Sequence, residues 1–138
     1  MKRRSLIIVA VILLLSILAC SSMAQATDPV QKQVCGVIRN SGSGWEQIGG
    51  AHHSVNISSI TNDTQKITVT YSFSADYVNT TAVTVDETMA SGGYVVGASV
   101  GLTEMRIYIY KNGVLINPNN YVNGSGNIWI FGLFEDNE

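Results

Sequence analysis

The chain has 138 residues, of which 46% are hydrophobic and 13% charged, a composition that fits a packed core and excludes a disordered tail. An N-terminal export signal of about 26 residues, argued next, leaves enough chain for one domain and too little for two. Of the eight Lys and Arg, Lys2, Arg3 and Arg4 fall in that signal, so five positive charges face ten negative ones in residues 27–138, a net charge of −5; that balance argues against a nucleic-acid surface, which needs clustered Lys and Arg.

In chain order, the basic start is followed by Leu6 to Ala19, fourteen residues that are apolar except for Ser16. A spanning helix takes roughly 20 apolar residues, so this run is short for a membrane anchor and suits a signal peptide. Ala24-Gln25-Ala26 fits the small-x-small cleavage rule and predicts a mature N-terminus at Thr27, with the domain spanning 27–138 and secreted to the periplasm or beyond. An uncleaved anchor is the plain alternative. Ile17-Leu18-Ala19-Cys20 offers another, because it resembles a bacterial lipobox and would leave a lipid on Cys20. No later segment is long and apolar enough to span a bilayer.

Val34 to Arg39 reads as extended. Cys35, the sole cysteine left after cleavage before Thr27, cannot form an internal disulfide, and the sequence predicts it as a small buried strand residue. Ser41-Gly42-Ser43-Gly44 is a turn; it lacks the Gly-Lys-Ser/Thr ending of a phosphate loop. His52 and His53 are neighbours, and in a strand they point to opposite faces, so no metal site is expected from them. Ser54 to Ile57 reads as a short extended stretch, and Thr61-Asn62-Asp63 as a turn. Lys66 to Phe73 then alternates cleanly, with Ile67, Val69, Tyr71 and Phe73 on one face, which predicts a half-buried antiparallel strand.

Ala82 to Val85 is a further strand, ending at Asp86-Glu87. Two carboxylates could serve a hydrolase, but neighbours on one strand point apart, and a carboxylate at a strand end more often caps the turn that follows, here Thr88 to Ser91. Tyr94 to Leu102 is lopsided: Tyr94, Val96, Ala98, Val100 and Leu102 share one face, while Gly97, Ser99 and Gly101 leave the other nearly bare and open to a packed sheet or a flat ligand. Met105 to Tyr110 alternates again. Its apolar face is Met105, Ile107 and Ile109, and its polar face carries Arg106 with Tyr108 and Tyr110, aromatics that can form a platform for a sugar ring or a partner protein unless a second sheet covers them. Asn112-Gly113 before Val114-Leu115-Ile116 is the strongest short signal of a hairpin, because both turn residues need positive φ. Asn123-Gly124-Ser125-Gly126 is the last turn. Ile128 to Phe134 is apolar on both faces, which predicts a central strand covered on both sides or an outer face buried against another chain. Asn-x-Ser/Thr sequons occur at Asn56, Asn62, Asn79 and Asn123 and matter only in a cell that glycosylates exported proteins.

The phrases Val83-Thr84-Val85-Asp86-Glu87-Thr88, Val96-Gly97-Ala98-Ser99-Val100-Gly101-Leu102 and Gly126-Asn127-Ile128-Trp129-Ile130-Phe131-Gly132-Leu133-Phe134 resemble small β-rich domains of exported bacterial and of phage- or prophage-encoded proteins, over roughly residues 50 to 134. The resemblance implies a bacterial or prophage origin, an all-β fold and a non-enzymatic role, and carries no activity with it.

The expectation is therefore an all-β antiparallel sandwich, jelly-roll-like or immunoglobulin-like, of seven or eight short strands, with helix content near zero. The expected function is recognition by an exported domain that needs no cofactor or metal. Its partner would be a surface glycan, a protein or a second copy, and its binding residues Arg106, Tyr108, Tyr110 and Trp129. Two rivals stay open: a lipid-anchored envelope protein attached through Cys20, and a small hydrolase using Asp86 or Glu87.

Overall fold

The computed structural model describes residues 29–49, 54–121 and 126–137. The segment expected to be a signal peptide, with Cys20, the His52-His53 pair and the sequon at Asn123 lie outside the described residues.

Among the described residues, nine strands form two antiparallel sheets packed face to face. They are β1 (Val30–Asn40), β2 (Trp45–Gln47), β3 (Ile57–Asn62), β4 (Ile67–Tyr71), β5 (Tyr77–Val85), β6 (Tyr94–Val100), β7 (Glu104–Lys111), β8 (Val114–Leu115) and β9 (Asn127–Asp136). The first sheet runs β2-β1-β9-β5 and the second β3-β4-β7-β6, with β8 paired to β7. The chain is an all-β sandwich, as its alternating sequence predicts. One helical turn, α1 (Glu87–Ser91), joins β5 to β6, and a short 3-10 turn spans Pro118–Asn120.

Period-two alternation builds the core from both sheets. The first sheet sends in Val34 and Ile38 from β1 and Ile128, Ile130 and Phe134 from β9. The second sends in Ile67, Val69 and Tyr71 from β4 and Met105, Ile107 and Ile109 from β7, the face expected of each strand. Burying each such side chain is worth about 1.5–3 kcal/mol. At one end Tyr71, Phe73 and Phe134 meet with ring centroids 4.8–5.6 Å apart. There Lys32 pairs with Asp136, and its ammonium lies 5.4 Å from the Phe73 ring. At the other end Tyr121 packs between Trp45 and Tyr94, and the Trp45 indole N–H donates to the Pro118 carbonyl at 3.1 Å.

Three local differences from the sequence expectation have physical causes. β2 is only three residues long, below the length at which alternation can be seen, and is held by pairing with β1. Ser54 to Ile57 is a corner: Val55 bridges Cys35 in the first sheet, Asn56 turns the chain at φ 58°, and Ile57 begins β3 in the second. The Asn56 amide fixes the corner by donating to the Gln33 carbonyl at 2.9 Å. Finally, Cys35 stands in a strand but not in the core. β1 places Val34, Gly36 and Ile38 inward, so Cys35 faces outward and is half-buried.

Candidate functional site

β9 is central in its sheet, hydrogen-bonded to β1 on one side and β5 on the other. Its even-numbered residues fill the core, so Trp129, Phe131 and Leu133 project from the opposite face. Nothing among the described residues covers that face. Trp129 is 53% exposed and Phe131 37% exposed. Of the two readings that its doubly apolar sequence allows, coverage on both sides by the chain itself is not what the described residues form.

Register then assembles a patch that spacing alone does not reveal. Val37 lies opposite Trp129, which lies opposite Thr84; Cys35 lies opposite Phe131, which lies opposite Ala82. Together these six side chains line a shallow depression of about 300 Å³ between the two rings. A second depression of about 260 Å³ flanks Trp129 on its other side, along Val37, Ile48 and Arg39. Val55, exposed beside Cys35, extends the apolar area.

The polar groups at the rim are bonded to one another. The Arg39 Nε donates to Asn127 Oδ1 at 2.9 Å. The Asn127 side-chain amide and backbone N–H both donate to Asp86 Oδ2, at 2.8 and 2.9 Å, while Asp86 Oδ1 accepts from the Met89 N–H at 3.0 Å. Asp86 is thus the N-cap of α1 and ties that turn to β9. Glu87 sits exposed in the first turn of α1. Both Asp86 oxygens are engaged in structural bonds, the capping role that carboxylates at a strand end favour.

Arg106, Tyr108 and Tyr110 lie on the other side of the molecule, on the outer face of the second sheet. Trp129 therefore shares no site with them. Arg106 is exposed and its guanidinium pairs with Glu104, with Nη2 at 2.6 Å. Tyr108 and Tyr110 are half-buried. The bare face of β6 is also outward: Gly97 lies opposite Tyr108, and the Tyr110 ring comes within 3.6 Å of where a Gly97 Cβ would sit. The Tyr110 ring of the neighbouring strand leans over the glycine, so of the two uses expected of that face, a packed sheet or a flat ligand, packing by a second sheet is not formed by the described residues.

The sequence already marked Trp129 and Phe131. It passed over Cys35, Val37, Ala82 and Thr84 as their neighbours. The signal for the β1 pair was present, because Val34-Cys35-Gly36-Val37-Ile38 is apolar in both phases like β9. The β5 pair is visible only through register. Among the described residues, no three His, Cys, Asp or Glu side chains gather as a metal site requires, and no helix is long and apolar enough to cross a membrane. No protein-family model, no curated protein and no solved structure matches the chain.

Proposed function

We propose that the chain is an exported, non-enzymatic recognition domain whose binding surface is the outer face of the β2-β1-β9-β5 sheet, and that its ligand is an apolar side chain presented by a partner protein. The observation that carries the reading is the pair of exposed rings, Trp129 and Phe131, flanking an apolar depression of about 300 Å³ on a face left open by the fold. A soluble domain that keeps such a patch uncovered pays hydration free energy on it, which binding recovers. The depression suits a protein anchor better than a sugar. Its walls are mostly aliphatic and aromatic, and the nearby Arg39, Asn127 and Asp86 already bond one another. A sugar needs free hydrogen-bonding groups beside its stacking ring, whereas a buried apolar anchor needs a dry pocket with a polar rim.

The test is a binding screen of cell-envelope proteins and glycans with the purified chain, repeated with Trp129→Ala and with Tyr108→Ala/Tyr110→Ala. Trp129→Ala is expected to cost about 2 kcal/mol or more of binding, as truncated aromatic anchors do, and the tyrosine pair to cost little. Glycan binding lost on the tyrosine substitution would move the function to the opposite face. Export is read by the intact mass of the chain as the producing cell processes it. A chain beginning at Thr27 is expected; an acylated Cys20 would make it a tethered envelope protein with the same binding face.

A further inference from the structure

The two lateral edges of the sandwich differ. On one side lie β2, which is three residues long and carries Glu46, and β3, whose pairing with β4 is broken by a bulge between Ile57 and Ser59. Short strands, charges and bulges are the devices by which proteins keep sheet edges from pairing. On the other side lie β5 in the first sheet and β6 in the second, the terminal strands in the pairing order. Tyr77-Val78-Asn79-Thr80-Thr81-Ala82-Val83-Thr84-Val85 and Tyr94-Val95-Val96-Gly97-Ala98-Ser99-Val100 contain no charged residue and no proline. The bulge in β5 falls at its start, between Val78 and Thr80, and leaves residues 80–85 in regular pairing with β9 and open on their far side.

The core is also unfinished on this side. Val83, Val85, Val96 and Val100 pack against the buried cluster yet are only partly buried, and neither edge strand has a fully buried residue. Val78, whose register opposite the buried Phe134 turns it toward the core, is 37% exposed.

We infer that this edge is a dimerisation site, occupied by the same edge of a second copy of the chain through antiparallel strand addition. An open edge demands an extended strand as its occupant, because only backbone can pair a row of N–H and C=O groups. Two features favour the second copy. Residues 27–138 carry a net charge of −5, so two copies repel least where neither edge bears charge. A twofold register centred on Ala82 sets Thr80 beside Thr84 on the outer face and Thr81 beside Val83 on the inner face, so the strand meets its own copy with no charge and no proline in the pairing. Joining the copies closes the lateral opening of both cores. It also sets the two Trp129 depressions on one continuous sheet face, with the β9 strands three strand spacings or about 14 Å apart, so that a partner with two anchors engages both.

Sedimentation velocity of the full chain, as the producing cell processes it, tests the inference over roughly 1–100 µM. A dimer is expected, and Thr80→Lys/Val95→Lys, which places like charges on both edges, is expected to raise its dissociation constant by about tenfold or more. Amide hydrogen exchange gives a second readout that needs no variant: the amides among residues 80–85 that face away from β9 should gain protection as concentration rises. Trp129→Ala should leave the dimer intact, so a failed recognition face and a failed edge are told apart. A chain monomeric throughout that range, a dimer indifferent to the lysines, or a dimer whose 80–85 amides facing away from β9 exchange as fast as in dilute solution would overturn it.

Discussion

Asp63 shows how a single exposed side chain organises a turn. It closes the β3–β4 hairpin by accepting from the Gln65 and Lys66 N–H groups through Oδ1, at 2.7 and 3.0 Å, and from the Lys66 ammonium through Oδ2 at 2.8 Å. The Lys66 side-chain bond, aided by the two backbone N–H bonds, pulls its carboxyl from the ordinary 3.8 down to about 2. A depressed folded-state pKa means that the ionised form is the stabilising one. The contribution is therefore complete above pH 4 and is lost as pH falls from about 4 to about 2. Denaturation across that window should show the native chain losing stability and Asp63→Asn losing less, with the difference shrinking in high salt because the site is open to solvent. At the other extreme of burial, Gly126 is fixed by packing: an added Cβ would fall 1.9 Å from the Tyr121 hydroxyl and 2.4 Å from Met89 Cγ. The closed end of the core has no room for it.

At the scale of elements, the β7–β8 hairpin is the clearest case of local chemistry dictating structure. Asn112 has φ 50° and Gly113 φ 80°, and Lys111 pairs directly with Val114, which is a two-residue primed turn. Gly113 has open space around it, so only its backbone angle resists substitution. Gly113→Val should destabilise the domain by about 1–3 kcal/mol, read as a lower denaturation midpoint; an unchanged midpoint would mean the turn carries no strain. β9 behaves differently. Gly132, on its inward phase, lets the Phe134 ring fold back to within 2.6 Å of where a Cβ would be. Its outward phase carries Trp129 and Phe131, which the core does not need.

For the molecule as a whole, on the function proposed above, that division separates stability from recognition. Trp129 is about half exposed in the isolated chain and is paired across the strands with Val37 and Thr84, so its truncation should lower unfolding free energy by about 1 kcal/mol while weakening partner binding by about 2 kcal/mol or more. Equal losses in both measurements would place Trp129 among the residues that hold the fold. The same division applies between faces: Trp129 belongs to the β9 face, and Arg106, Tyr108 and Tyr110 to the β7 face.

Sequence alone determined the all-β class, most of the strands, the hairpin at Asn112-Gly113, the inward faces of β4 and β7, and the capping role of Asp86. These follow from period-two alternation and from side-chain bonds to backbone only a few residues away, which are local. Tertiary structure decided which phase of a doubly apolar strand enters the core, as Cys35 shows by pointing out where a buried position was expected. It also decided that β1 and β9, from opposite ends of the chain, lie side by side and bring Val37 to Trp129 and Cys35 to Phe131. Alternation fixes the phase of one strand relative to itself; it says nothing of which strand is next to it or which edge stays open. Those depend on long-range hydrogen-bond register, and the candidate binding face and the open β5–β6 edge exist only once that register is set.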